Sequence, residues 1–117
     1  MMKILILEDN SHRIRYFMER FAQHELTITE SAFDALDYVN TEAFDCIFID
    51  NDLGNGNGQG ADVAAALAQQ PENPNNDAII IIHSWNMPAA HAMKFQLPNA
   101  AILPFNSNEF FDLTSSI

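Results

Sequence analysis

The sequence predicts an α/β fold, a doubly wound sheet of five parallel strands with helices on both faces. Three observations predict it. The clearest apolar runs do not alternate with polar residues, as expected for strands buried on both faces. Segments with helical spacing separate these runs. The connections are short, so strand and helix alternate five times along the chain. A length of 117 residues fits one domain, expected to span residues 1–117.

The elements follow in order. Lys3 to Leu7 is a β-branched and leucine run that ends abruptly at Glu8-Asp9-Asn10. Ser11 is the expected N-cap of a helix in which Ile14, Phe17, Met18 and Phe21 form one apolar face. Leu26 to Thr29 is a short strand. Ser31 and Asp34 then form a capping arrangement for a helix carried by Phe33, Leu36 and Val39. Cys46 to Asp50 is a third strand, apolar until its carboxylate. Gly54, Gly56, Gly58 and Gly60 mark a loop, and Ala61 to Gln70 is an alanine-rich helix. Pro71 to Asp77 is a polar turn, and Ala78 to Ile82 is the most apolar strand, ending in His83-Ser84. Pro88 opens a helix running towards Gln96. After a turn at Pro98-Asn99, Ala101 to Leu103 is the last strand. Asn106 with Glu109 resembles a capping box for a terminal helix bearing Phe110, Phe111 and Leu113.

Composition narrows the partners. Nearly half the residues are hydrophobic, enough for a packed core. The formal net charge is −11, with five Lys and Arg against sixteen acids, so a nucleic-acid backbone is excluded as a partner. Arg13, Arg15 and Arg20 share one helix and read as a solvated surface before they read as a docking face. Cys46, alone and in an apolar run, reads as a buried inert thiol. No apolar stretch approaches the ~20 residues of a membrane span. Met1-Met2-Lys3 leads straight into a strand, so a cytoplasmic location without a signal peptide is expected.

In open α/β sheets, ligands bind beyond the C-terminal ends of the strands, near the point where strand order reverses. Strand one ends in Glu8-Asp9, strand three in Asp50 with Asp52 two residues on, and strand four in His83-Ser84. If strands one and three are neighbours, Glu8, Asp9, Asp50 and Asp52 crowd together, and their mutual repulsion calls for a cation. A hard divalent ion with oxygen ligands, Mg²⁺ or Mn²⁺, meets that need and would draw in a phosphate. Each acid alone reads as a solvated loop residue; the set favours a site. The glycine loop lacks the lysine of a P-loop and reads first as flexible surface, second as a phosphate nest. Neighbouring strand residues point to opposite faces, so His83 and Ser84 do not form a Ser–His pair. Ser84 suits a hydrogen bond to a phosphate oxygen, while His83 is either a core histidine or a proton donor at the cleft. His12, His24 and His91 lack metal-ligand spacing.

These features together resemble the receiver domain of two-component response regulators, over Lys3 to Leu113. The resemblance rests on Glu8-Asp9 after strand one, Asp50 after strand three, a hydroxyl residue after strand four and Pro104-Phe105 after strand five. It implies a flavodoxin-like strand order 2-1-3-4-5, Mg²⁺ bound by Glu8, Asp9 and Asp50, and a phosphoryl group accepted by Asp50 from a histidine kinase. Three positions depart from that pattern. Leu103 stands where the family has lysine, Trp85 where it has a small residue, and the loop after Asp50 is long, with Gly54 where proline is usual. The chain is more similar to the divergent cyclic-phosphate-processing receiver domain. It shares with it Glu8-Asp9, Asp50-Asn51-Asp52-Leu53-Gly54 and His83-Ser84-Trp85-Asn86.

Three functions follow from the resemblance. One is an atypical stand-alone receiver in phosphorelay signalling, with metal at the acidic pocket and Asp50 as phosphoacceptor. It would meet a kinase or another protein partner, or dimerise, through Phe105, Phe110 and Phe111. Another is a metal-dependent phosphoesterase acting on a small cyclic phosphate, with Asp50, His83 and Ser84 as its catalytic set. The third is a pseudo-receiver that binds partners without chemistry.

Overall fold

A computed structural model describes residues 1–69 and 72–117. Its elements are β1 (Lys3–Leu7), α1 (Ser11–Arg20), β2 (Glu25–Thr29), α2 (Ala32–Thr41), β3 (Cys46–Ile49), α3 (Gly60–Gln69), β4 (Ile79–Ile82), α4 (Met87–Gln96), β5 (Ala101–Ile102) and α5 (Asn108–Ser116). The expected end of the third helix at Gln70 and the start of the following turn at Pro71 lie outside the described residues.

All pairings are parallel, in the order β2-β1-β3-β4-β5. The order reverses between β1 and β3, which opens a crevice above their C-terminal ends. Alternation along each strand feeds two cores. Leu5, Leu7, Ile47, Ile49 and Ile82 face α2, α3 and α4, where Ala35, Val39, Val63, Ala64 and Met93 pack on them. Ile4, Ile6, Cys46, Phe48 and Ile81 face α1 and α5 and meet Phe17, Phe21, Phe105 and Phe110. The first layer is built mainly of aliphatic residues and the second is rich in phenylalanine.

Several local expectations need correction. Asn10, not Ser11, caps α1: its Oδ1 accepts from the amides of His12 at 3.0 Å and Arg13 at 3.1 Å. Ser107, not Asn106, caps α5. Asn106 takes a left-handed φ of 72°, which an Asn tolerates, and so turns the chain before the helix. Ser31 caps α2 as expected. Met18 and Phe33 are exposed, so the buried residues are Phe17 on α1 with Phe21 capping its end, and Ala32, Ala35 and Val39 on α2. Leu103 falls outside β5, although its amide still donates to the Ile82 carbonyl. Cys46 is buried, and its surroundings push the thiol up to about 12, as expected of an inert group. Phe105 and Phe110 lie in the core beneath the sheet, leaving only Phe111 of that trio exposed. Among the described residues, no helix is long and apolar enough to cross a membrane.

Candidate functional site

The site grows out of the sheet's hydrogen-bond ladder. Leu7, Ile49 and Ile82 stand side by side in the last row of β1, β3 and β4. The next residues, Glu8, Asp50 and His83, make one further row. Its amides are tied to the sheet: Glu8 N donates to Thr29 O, Asp50 N to Leu7 O and His83 N to Ile49 O, at 3.0–3.1 Å. By alternation this row returns to the face of Ile6, Phe48 and Ile81, the side covered by α1 and α5. The His83 ring accordingly stands edge-on to Phe17 and Phe48, with centroids 5.4 and 6.2 Å apart. Three polar side chains are thereby held at strand spacing on top of an aromatic core.

All three are buried. His83 Nε2 lies 2.9 Å from Glu8 Oε1. A carboxylate only accepts, so the proton of this bond sits on Nε2. The other Glu8 oxygen, Oε2, accepts from the amides of Asp9 and Asn10, each at 3.0 Å. Burial pushes the Glu8 carboxyl up, but the His83 hydrogen bond and charge, the Asn10 amide and Arg13 outweigh it and bring it down to about 2. For Asp50 the compensation, from the His83 charge and the Asn51 amide, is too weak. Burial first, and the Glu8 charge second, push it up to about 6, although its Oδ1 accepts from the Asn51 amide at 2.8 Å. Asp9 is also raised, by burial and then by Glu8.

Above this row lies a cavity of about 230 Å³ lined by Glu8, Asp9, Asn10, Arg13, Asp50, Asp52, Ser84, Trp85 and Asn86. It sits over the C-terminal ends of β1, β3 and β4, beside the reversal of strand order. Ser84 is almost wholly buried, and its Oγ accepts from the Asn86 amide at 3.0 Å, which leaves its own O–H to donate. Asp52 stands at the mouth, where the Asn86 amide group reaches both its oxygens at 3.3 Å. Trp85 is 56% exposed, and its indole N–H donates to the Phe105 carbonyl at 2.7 Å. That bond holds the ring at the rim.

The structure therefore places Glu8, Asp9, Asp50, Asp52 and Ser84 on one cavity, while His83 lies beneath the cavity rather than in its wall. The loop of four glycines is not part of the lining. Its ends are bridged by Asp52 and Gln59, and the Asn57 carbonyl accepts from the Ala32 amide at 2.8 Å, which pins the loop to the start of α2. One expectation from the sequence needs correction here. Arg13 lies in the cavity wall, not on a solvated surface, with Nη1 3.6 Å from Glu8 Oε1 and 3.8 Å from Asp50 Oδ2. The signal was present: Arg13 precedes Phe17 by four residues, on the stripe of α1 that faces the sheet, and the cap residue Phe21 by eight.

Glu8, Asp50 and His83 offer ligand atoms that all lie within 4.8 Å of one another, a cluster able to chelate a divalent metal. Four carboxylates line the cavity, which suits a hard cation, and the upward push on Asp50, from burial first and the Glu8 charge second, is one that a bound cation would offset.

Comparison with known proteins agrees with this geometry. Residues 3–99 match the model of the cyclic-phosphate processing receiver domain. No curated protein matches the chain. Among solved structures, the phosphorylated cyanobacterial phytochrome response regulator RcpA is similar at 22% identity and a TM-score of 0.73, over 98% of this chain and 89% of that one. TrrA of Thermotoga maritima, in complex with Mg²⁺ and BeF, is similar at 18% identity and 0.74, over 99% and 98%. A Burkholderia pseudomallei response regulator with a phosphorylated aspartate, calcium and citrate is similar at 19% and 0.72, over 95% and 64%. At these identities the likeness is one of fold.

Proposed function

The chain belongs to the cyclic-phosphate processing receiver domain family, and on that premise we propose that its acidic cavity binds a divalent cation together with the phosphate group of a small cyclic phosphate and processes that ligand. The observation that carries this reading is the row Glu8-Asp50-His83. Two buried carboxylates at strand spacing, one of them pushed up to about 6, face a cavity at the reversal of strand order.

The residues divide the work. Asp50 and Asp9, just beyond the C-terminal ends of β3 and β1, would hold the cation, with Glu8 as a further charge and Asp52 at the mouth. When bound, the cation offsets the acids and polarises the phosphate. His83 is a positioning residue: it holds Glu8 Oε1 from below and so fixes the rotamer of a carboxylate whose other oxygen is bound by two amides. Ser84 donates its free O–H to a phosphate oxygen. At about 230 Å³ the cavity is smaller than the ~300–1,000 Å³ that encloses a drug-sized ligand. It takes the phosphate and the edge of the group that carries it, leaving the remainder against exposed Trp85.

A second reading, Asp50 as acceptor of a phosphoryl group in a phosphorelay, is favoured by one observation. Asp50 Oδ1 is tied to the Asn51 amide while Oδ2 is the oxygen nearer Arg13 in the cavity wall. One experiment separates the two. The protein is incubated with Mg²⁺ and either a nucleoside 2′,3′-cyclic phosphate or a small phosphodonor, and small-molecule product and intact mass are followed. Metal-dependent ring opening that is lost in Asp50→Asn supports processing of the cyclic phosphate. A stable adduct from the phosphodonor alone, absent in Asp50→Asn, supports the phosphorelay. Ring opening unaffected by metal chelation or by Asp50→Asn would refute the first reading.

A further inference from the structure

The receiver pattern places a lysine where this chain has Leu103, and the Leu103 side chain packs into the aromatic core instead. A phosphate entering a cavity walled by Glu8, Asp9, Asp50 and Asp52 then meets four carboxylates. A protein cation in that wall must therefore come from another element. Lys3 pairs with Glu42 at the far end of β1. Lys94 donates to the carbonyls of Pro98 and Ala100 beyond the end of α4. Arg15 is exposed. Among the described residues, Arg13 is the cation that lines the cavity.

Its geometry is that of a group held ready and not used up. The guanidinium carbon stands 5.1 Å over the centre of the Phe105 ring, a cation–π contact that orients the plane. Phe105 is itself fixed by its amide, which donates to the His83 carbonyl at 3.0 Å. Arg13 Nη1 is within ion-pair range of both Glu8 and Asp50 but beyond hydrogen-bond distance of either. The guanidinium makes no hydrogen bond to the described residues, so its planar fork of N–H donors remains available, a shape that matches two oxygens of one phosphate. The side chain is 27% exposed, enough to be reached from the cavity and shielded enough for the charge to count.

We propose that Arg13, reaching in from α1, is the phosphate-binding cation of this site and takes the part that a lysine at position 103 would otherwise play. The inference rests on the reading of the cavity as a metal and phosphate site. It gives Arg13 two consequences of opposite sign. Its charge attracts the phosphate, yet it lies beside the same two acids that a divalent cation would approach, and so it opposes the metal.

The test uses the full chain and inorganic phosphate as the probe. Calorimetric titrations measure Mg²⁺ binding alone and phosphate binding at saturating Mg²⁺, for wild type, Arg13→Gln, Arg13→Lys and Arg15→Gln. The last changes net charge equally from an exposed position on the same helix. The expected result is a loss of phosphate affinity of about tenfold or more in Arg13→Gln, with Mg²⁺ affinity unchanged or raised. Arg13→Lys keeps most of the phosphate affinity through its charge, and Arg15→Gln behaves as wild type. Phosphate binding undiminished in Arg13→Gln would overturn the proposal. So would an equal loss of phosphate and Mg²⁺ affinity, the signature of a merely structural role. Should Arg13→Gln fail to fold, Arg13→Lys decides: phosphate affinity near wild type supports the assignment, and its loss alongside Mg²⁺ affinity overturns it. A wild-type protein that binds no phosphate at all refutes the underlying reading of the cavity, an outcome distinct from a wild type and Arg13→Gln that bind equally.

Discussion

Asp50→Asn exchanges a buried charge for a neutral group of the same shape, and its effect on stability follows from the site's electrostatics. Burial and the neighbouring Glu8 push the Asp50 carboxyl from its ordinary 3.8 up to about 6. A group with a native pKa above its unfolded value binds protons more tightly in the native state. Stability therefore falls as pH rises from about 4 to about 6, and above that window the full cost is present. At about 1.4 kcal/mol per pKa unit, the cost is roughly 3 kcal/mol at pH 7.5 and about 0.5 kcal/mol at pH 4. Asparagine keeps an oxygen to accept from the Asn51 amide and removes the charge. Urea unfolding without metal should then find Asp50→Asn more stable than wild type by about 2–3 kcal/mol at pH 7.5, with most of the gain gone at pH 4. Added Mg²⁺ should narrow the gap at pH 7.5, because it stabilises the wild type alone. A variant no more stable than wild type at pH 7.5, or a gain that does not change with pH, would mean that the Asp50 charge carries no such cost.

Three further outcomes follow from the packing. His83→Ala removes the partner of a buried carboxylate and should cost about 3–5 kcal/mol in urea melts at pH 7. The loss should shrink as pH falls from about 4.5 towards about 2, where the Glu8 contribution itself disappears in wild type. Gly60→Ala should destabilise by about 1–3 kcal/mol, since a Cβ there meets the backbone carbonyl of Asp50 and α3 must shift; a melting temperature equal to wild type would contradict this. Trp85 is the chain's one tryptophan and lines the cavity, so titration with Mg²⁺ and phosphate should change its intrinsic fluorescence, and Asp50→Asn should abolish the change.

Much of this site was legible in the residues because each of three strands switches from apolar to polar at the same row. Leu7-Glu8, Ile49-Asp50 and Ile82-His83 mark one level of the sheet, and the register places them side by side. The fold was legible for the same reason: runs buried on both faces leave a parallel sheet as the arrangement that covers them. The features that needed correction depend on choices that one-dimensional patterns do not carry. Asn10 and Ser11 are both good caps, and only the approach of the chain decides that the Asn side chain reaches the amides of His12 and Arg13. Arg13 is a long, charged residue on a helix whose apolar positions draw attention, and its inward direction follows from the aromatic stripe beneath it. His83 could be placed at the cleft or in the core by sequence. The Glu8 partner that holds it below the cavity lies 75 residues away.

A paramagnetic divalent cation bound in the Glu8–Asp50 cavity would relax the amide protons around it. In an amide NMR spectrum with substoichiometric Mn²⁺, the signals of Asp9, Asn51 and Ser84 should vanish first, those of Asn75 and Ala100 at the opposite end of the sheet should persist, and Asp50→Asn should abolish the selective loss. Broadening that begins around exposed acids such as Glu25 or Asp45, or that is identical in Asp50→Asn, would contradict binding in that cavity.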